Sequence, residues 1–124
     1  MSVQQLTPML YTKEMQATVD FYTNVLGFTC KNYQPGDGWA SLQLDNVEIM
    51  LALPNDHMPF DKPTFTGSFY FRTDNVDGLW QKLKDMTRVC YEIENFEYGM
   101  REFAVYDNNG YLLQFGQEIA DQNH

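Results

Sequence analysis

Gln114 is the polar side chain whose place in the sequence most needs a chemical explanation. It lies in DNNGYLLQFGQ (107–117), where a tight polar turn runs into a strand of mostly apolar residues. A buried primary amide without a hydrogen-bond partner costs about 1 to 3 kcal/mol. We therefore expect Gln114 either to orient a ligand or to bond to another polar group of the chain or to a water molecule, and the sequence leaves both open.

Histidine and cysteine, the other usual carriers of chemistry, are few and badly spaced. Cys30 and Cys90 lie outside any C-x-x-C motif, as is typical of reduced, partly buried thiols. His57 lies in a proline-containing segment, and His124 is the last residue. The two-histidine, one-carboxylate triad that holds non-haem iron therefore cannot be assembled from the strands of this sequence.

The composition is that of a folded, acidic domain. Of the 124 residues, 44% are hydrophobic and 20% charged, and 8 Lys and Arg against 17 Asp and Glu give a net charge of −9. This charge disfavours nucleic acids and anionic membranes as partners; it either attracts cationic ligands or serves solubility. Without a signal-like N-terminus or a membrane-length apolar stretch, we expect a cytoplasmic protein.

Two helices are predicted from apolar residues that recur every three or four positions. The first spans about 14–26 and ends at Gly27, where a residue that tolerates left-handed dihedral angles is favoured. The second spans about 75–86, with Asp74 as a plausible N-cap.

The two halves of the chain resemble each other. A strand-like run precedes each helix, at 8–12 and 68–73, and an offset of 61 residues places Thr7 on Ser68. A unit of one strand, one helix and about three further strands is too small to bury its own sheet, so the two must cooperate in one α+β domain. The predicted organisation is a single domain 1–124, with module one at about 4–53, a proline-rich linker at about 54–65, module two at about 66–118 and a short C-terminal tail.

The closing segments of the two halves coincide at a slightly larger offset. WASLQLDNVEIML (39–51) falls on FAVYDNNGYLLQF (103–115) at an offset of 64 residues. This alignment pairs Ala40 with Ala104 and Met50 with Gln114.

Three motifs, together with the order of elements, resemble the vicinal oxygen chelate superfamily, which includes glyoxalase I, bleomycin resistance proteins and extradiol dioxygenases. They are MQATVDFYTNVLGF (15–28), FRTDNVDGLWQKL (71–83) and YGMREFAVYDNNGYLLQFGQ (98–117). The resemblance implies two βαβββ modules that form a cupped mixed sheet, with the helices outside and a ligand cavity within.

Metal-using members of this superfamily hold a divalent ion on four side chains, usually His, Gln or Glu. The alignment places these positions on Thr7, Met50, Ser68 and Gln114, and none of them offers imidazole or carboxylate. The resemblance therefore implies no metal and no other cofactor. A shift of two residues along the strand would bring Glu48 onto the same face, which keeps a metal-dependent alternative open.

Alternation along the strands predicts which side chains face the ligand. Trp39 is included because it could cap the mouth of the cavity; the alternative is that it packs in the core. The predicted ligand-binding residues are Thr7, Met9, Tyr11, Trp39, Glu48, Met50, Ser68, Tyr70, Arg72, Leu112 and Gln114.

An acidic and aromatic stretch precedes the closing hairpin. Glu92, Glu94 and Glu97 alternate with Tyr91, Phe96 and Tyr98. Such a run is usually a solvated edge or loop. If it borders the cup, it would favour a flat or cationic guest.

The favoured function is that of a metal-free small-molecule-binding protein, similar to the bleomycin resistance branch and so antibiotic resistance-like. It would sequester a cationic or aromatic drug-like compound and form a homodimer. The alternative is a glyoxalase-type lyase, isomerase or transferase with a degenerate metal site, in which Glu48 and Tyr70 are weak candidates for acid or base and Arg72 could hold an anion.

Overall fold

The chain folds into two compact units, Met1–Pro63 and Thr64–His124, in a computed structural model that describes residues 4–55, 57 and 59–120. Each unit contains one four-stranded mixed sheet and one helical segment, so the predicted α+β class is confirmed. Within the described residues, no helix is long and apolar enough to cross a membrane. That the two units make a single domain stays a prediction, and His124 lies outside the described residues.

The first unit is ordered as one strand, a helix and three strands. Its sheet has the order β1-β4-β3-β2, in which β1 runs parallel to β4 and the other pairs are antiparallel. Its elements are β1 (Met9–Tyr11), α1 (Met15–Asp20), a π-helical turn (Phe21–Val25), β2 (Thr29–Cys30), β3 (Trp39–Leu44) and β4 (Val47–Ala52).

The first helix matches the predicted span but changes its hydrogen bonding midway. The Leu26 N–H donates to the Phe21 carbonyl five residues back, at 3.2 Å, as in a π-helix. Gly27 follows with φ of +88°, the left-handed conformation that the sequence predicted at this end. Val19 and Tyr22 are buried, as expected of the apolar stripe of this helix.

The second unit repeats this order of elements. Its sheet has the order β5-β8-β7-β6, with β5 parallel to β8. Its elements are β5 (Phe69–Arg72), α2 (Val76–Leu83), β6 (Arg88–Asn95), β7 (Met100–Tyr106) and β8 (Leu112–Glu118).

The N-cap of the second helix is Asn75, so the prediction of Asp74 is wrong. The Asn75 Oδ1 accepts a hydrogen bond from the Gly78 N–H at 3.1 Å. Asp74 lies one residue before the cap, and its carbonyl accepts a hydrogen bond from Gln117 Nε2 at 3.0 Å. The helix is also shorter than the predicted 75–86.

The strand register confirms the offset of 61 residues and, between β4 and β8, the offset of 64. Met9 pairs with Met50 in the first unit, and Tyr70 pairs with Gln114 in the second. The pairing of Ala40 with Ala104 is wrong by one residue, because Gln114 pairs with Ala104 whereas Met50 pairs with Ser41.

Hairpin length explains this one-residue shift. Residues 45–46 alone join β3 to β4, with Asp45 at φ +51°. In the second unit the Asp107 N–H still bonds to the Tyr111 carbonyl at 3.0 Å, so three residues, 108–110, lie between the last bonded positions. The Asp107 carboxylate caps this longer turn by accepting from the Asn109, Gly110 and Tyr111 N–H groups at 2.8 to 2.9 Å. A change of hairpin length resets the partner of every residue along β7.

Each sheet buries one face under its helix, and this face carries the core. In the first unit it contributes Leu10, Leu42, Ile49 and Leu51, which are at most 4% exposed. In the second unit Phe103 stacks on Phe115 with 5.2 Å between ring centroids, and Trp80 of α2 lies 5.2 Å from Phe103. Each buried side chain of this kind contributes roughly 1.5 to 3 kcal/mol, which opposes any one-residue slip of a strand.

Replacing the N-cap tests the assignment at α2. The Asn75→Ala variant is expected to lose about 1 kcal/mol of unfolding free energy, because the Gly78 N–H loses its acceptor. Urea denaturation measures the loss, and Asp74→Ala serves as the neighbouring control with a smaller one. Equal losses in the two variants would show that Asn75 is not the cap.

Candidate functional site

The predicted ligand-binding residues lie on the sheet face opposite the helix in each unit, which we call the helix-free face. Strand register sets Met9, Met50 and Ser41 side by side on this face in the first unit, while Ile49 and Leu51 point to the helix. Thr7, Tyr11, Glu48, Met50 and Ala52 are half-buried there, and Met9 is exposed.

Trp39 also lies on the helix-free face of the first unit. It is the first residue of β3 and pairs with Ala52. The residue is 40% exposed, so it is not part of the core of this unit. An indole in this position offers a flat apolar surface to a ligand.

Glu48 is the centre of a polar cluster in the first unit. Its Oε1 accepts hydrogen bonds from Gln5 Nε2 at 2.6 Å and Thr7 Oγ1 at 3.1 Å. Its Oε2 accepts from Ser41 Oγ at 2.9 Å. Thr7 therefore bonds to Glu48, and all three donors to this carboxylate among the described residues are neutral.

Gln114 has a partner at each end of its amide. Its Oε1 accepts from Ser68 Oγ, and its Nε2 donates to Tyr91 Oη at 2.8 Å. Of the alternatives that the sequence left open, the structure thus shows a bond to a neighbouring group, Ser68, and adds one to Tyr91. The amide is held in place by its own unit.

Glu102 lies beneath these side chains and was not among the predicted residues. It is 1% exposed. The Tyr70 hydroxyl donates to its Oε1 at 2.8 Å, the Tyr91 hydroxyl donates to its Oε2, and Gln114 Nε2 is 3.4 Å from the same Oε2. We call Ser68, Tyr70, Tyr91, Glu102 and Gln114 the Glu102 cluster.

Glu102 escaped prediction because the sequence reasoning assigned faces only in the first and last strand of each module. The alignment of β3 with β7 was also wrong by one residue, so Glu102 was aligned with no residue of β3. Alternation within REFAVY does place Glu102 on the same face as Ala104, whose partner is Gln114. Strand alternation could therefore have identified Glu102 as a residue of the ligand-facing side of the sheet.

Gly116 makes room for the hydroxyl of Tyr70. It pairs with both Arg72 and Glu102, and the Tyr70 ring crosses over it. A Cβ atom at position 116 would lie 2.7 Å from Tyr70 Cζ and would overlap the hydroxyl oxygen. Because Gly116 has no side chain, the Tyr70 hydroxyl can reach Glu102 across β8.

Aromatic rings continue from the Glu102 cluster toward solvent. Tyr91 contacts Phe96 edge-on at 5.6 Å, and Phe96 stacks on Tyr98 at 5.5 Å. Tyr98 is 62% exposed and Tyr70 41%. The tyrosines of the acidic and aromatic stretch thus border the helix-free face, whereas its three glutamates are exposed.

The tyrosines of this site stay protonated to high pH. Burial, followed by the hydrogen bond to Glu102, raises the pKa of Tyr70 and of Tyr91 well above the ordinary value of 10.0. At neutral pH these side chains are neutral phenols that donate to one carboxylate.

Arg72 and Leu112 lie at the margin of the cluster. The Arg72 guanidinium forms an ion pair with Glu118, at 3.1 Å between Nη1 and Oε1, and both side chains are exposed. Such a pair contributes little to stability. Leu112 is half-buried and pairs with Tyr106.

The four positions that hold a metal ion in related proteins do not fit one in this chain. Thr7 and Ser68 offer neutral hydroxyls, Met50 a soft thioether and Gln114 an amide, whereas proteins bind Zn²⁺, Mn²⁺ or Fe²⁺ chiefly through imidazole, carboxylate or, for zinc, thiolate ligands. Both hydroxyls and the amide also hold hydrogen bonds within their own unit. Across the described ranges, no three His, Cys, Asp or Glu side chains come close enough to bind an ion together.

Adding a methyl group at Gly116 tests the contact with Tyr70. We expect Gly116→Ala to lose about 1 to 3 kcal/mol of unfolding free energy, because Tyr70 must leave Glu102 to avoid the new Cβ. Gly38→Ala is the matched control, since its Cβ would meet Leu53 at an ordinary 3.7 Å. In a Tyr70→Ala background the Gly116→Ala loss should shrink, and two additive losses would contradict the contact.

The raised tyrosine pKa values predict a loss of stability at alkaline pH. Stability is fully present below about pH 10, and it falls above that pH because the unfolded chain gives up its phenolic protons first. Urea denaturation at pH 8, 10 and 11 measures the fall. A Tyr91→Phe protein should lose less between pH 10 and 11 than the wild type, and an identical fall in both would show that Tyr91 is not a source of it.

Comparison with known proteins agrees with this geometry. The family model for the Glyoxalase/Bleomycin resistance protein/Dioxygenase superfamily matches residues 4–115. A bleomycin resistance protein of Geobacillus stearothermophilus is 27% identical over 130 residues, covering 93% of this chain and 97% of that protein.

Solved structures share the fold, and two of them illustrate the likeness. TioX from Micromonospora sp. ML1 superposes with a TM-score of 0.76 at 18% identity, covering 94% of this chain and 99% of that one. TnmS3, an antibiotic binding protein from Streptomyces sp. CB03234, superposes with a TM-score of 0.73 at 22% identity, covering 95% and 98%. The chain belongs to the Glyoxalase/Bleomycin resistance protein/Dioxygenase superfamily, as its three motifs predicted.

Proposed function

We propose that this protein binds and sequesters a small aromatic, cationic compound without the help of a metal ion. The observation that carries the proposal is the Glu102 cluster, in which a buried carboxylate meets neutral donors alone and is surrounded by tyrosine rings. Among the described ion pairs, none involves Glu102. Negative charge behind aromatic faces attracts a flat cation through electrostatic and cation–π interaction.

Several features support the same class of ligand. The net charge of −9 raises the local concentration of cations. Trp39, Tyr70 and Tyr98 expose 40% or more of their surface on or beside the helix-free faces, which suits contact with a planar guest. Relatives named for bleomycin resistance, and a structural neighbour named as an antibiotic binding protein, support drug sequestration as the biological setting.

Independence from metal is part of the proposal. Its support is the donor chemistry of Thr7, Met50, Ser68 and Gln114, which suits hydrogen bonding to an organic guest better than binding an ion. A homodimer is likewise proposed, from the resemblance to members that complete their ligand clefts with a second subunit.

Isothermal titration calorimetry tests the proposed binding. Protein treated with EDTA and desalted is titrated with metal-free bleomycin and, separately, with 9-aminoacridine. We expect saturable binding of at least one compound, unchanged when EDTA is kept in the buffer, because no step depends on a metal. Absence of saturable binding to both would overturn sequestration of aromatic cations.

The metal content of the purified protein tests the proposed independence from metal. After incubation with Zn²⁺, Ni²⁺, Mn²⁺ or Fe²⁺ and thorough desalting, mass spectrometry is expected to find well below one ion per chain, because the four positions lack anionic ligands. A zinc-loaded glyoxalase I serves as the positive control. A stoichiometric ion that disappears in Glu48→Gln would favour a glyoxalase-type enzyme instead.

A further inference from the structure

We infer that Glu102, acting through the hydroxyl of Tyr70, selects guests that carry a positively charged N–H group over neutral or N-alkylated guests of the same shape. The inference rests on the proposed function and deepens it by naming the recognised group. Glu102 acts as a positioning residue, since Tyr70 makes the contact.

Glu102 cannot meet a guest directly. Only 1% of its surface is exposed, and its two oxygens are covered by Tyr70 and Tyr91. An ionised carboxylate only accepts hydrogen bonds, so both tyrosine hydroxyls must donate to it. Each phenolic oxygen is left as an acceptor, and donation to a carboxylate makes it a stronger one.

The two tyrosines differ in whether that acceptor is already used. Tyr91 Oη accepts from Gln114 Nε2 at 2.8 Å, and Ser68 holds the other end of the amide. Tyr70 Oη has no such donor among the described residues. Since Tyr70 is also 41% exposed, its oxygen is the acceptor of the cluster that a guest can reach.

The charges around Tyr70 are compatible with a cationic guest. Arg72 follows on the same face and opposes the effect of Glu102 by lowering the pKa of Tyr70. Its guanidinium is paired with Glu118, which offsets its charge. The buried carboxylate beneath the ring remains the charge that a guest N–H would sense through the hydroxyl.

Gly116 keeps this arrangement in one orientation. Its missing side chain lets the Tyr70 ring lie across β8 with the hydroxyl over Glu102, and the paired backbones of Arg72, Gly116 and Glu102 hold the distance. The oxygen therefore presents its lone pairs at a position set by the sheet rather than by a mobile loop.

Three tricyclic probes separate charge from the N–H group. Protonated 9-aminoacridine carries both, 10-methylacridinium carries the charge without a ring N–H, and 9-methylanthracene carries neither. Fluorescence titration measures their affinities for wild type, Tyr70→Phe, Glu102→Gln and Glu94→Gln. Glu94 is the matched control because it is exposed and its Cα pairs with that of Glu102, so its substitution removes the same charge from the same sheet.

For wild type we expect 9-aminoacridine to bind roughly tenfold more tightly than either other probe, as a hydrogen bond from a charged donor allows. Tyr70→Phe and Glu102→Gln should reduce this ratio to within about twofold, whereas Glu94→Gln should keep it. A ratio between similar probes is insensitive to a purely structural loss of affinity. If Glu102→Gln does not fold by circular dichroism, Tyr70→Phe, which keeps its ring, decides the result.

The outcomes distinguish failure of this inference from failure of the proposed function. If no probe binds wild type, the proposed function fails and the inference falls with it. If all three bind wild type equally, or if Tyr70→Phe keeps the full preference, binding of aromatic guests stands but recognition through Tyr70 and Glu102 is overturned.

Discussion

A carboxylate withdrawn from solvent must be satisfied by hydrogen bonds, and in the second unit this requirement at Glu102 organises the helix-free face. Tyr70 and Tyr91 donate to its two oxygens, and Gln114 completes the arrangement by donating to Tyr91. Without these donors the buried charge would cost several kcal/mol. The positions of the tyrosine rings are therefore consequences of one buried acid.

The first unit also holds a carboxylate, that of Glu48, on its helix-free face by hydrogen bonds. Glu48 accepts from Gln5, Thr7 and Ser41, all neutral donors, and it is half-buried rather than buried. It lies on β4, whereas Glu102 lies on β7, so the two acids are not equivalent positions of the repeat. In both units a carboxylate is held on the helix-free face by neutral donors, and this arrangement is the basis for proposing a cationic guest.

Sequence reasoning succeeded where short-range patterns decide the structure. Helical spacing located both helices, and strand alternation placed Gln114 among the ligand-facing side chains, while its neighbours Leu113 and Phe115 are buried on the other face. It failed at the Asn75 cap and at the register of β7, where one residue more or less is decisive. It also missed Glu102: alternation within β7 indicates its face, but a glutamate in a strand is usually solvated, and its burial depends on the tertiary fold.

The sequence by itself determined the superfamily, the α+β class and the donor chemistry at Thr7, Met50, Ser68 and Gln114, because residue type and periodicity carry that information. Only the tertiary structure decided which groups bond to one another. The partners of Gln114 lie 46 residues away at Ser68 and 23 away at Tyr91, and they meet because hairpin length sets the register of the sheet. Long-range pairing of strands, which no local pattern encodes, is the physical reason that the Glu102 cluster became visible in the fold alone.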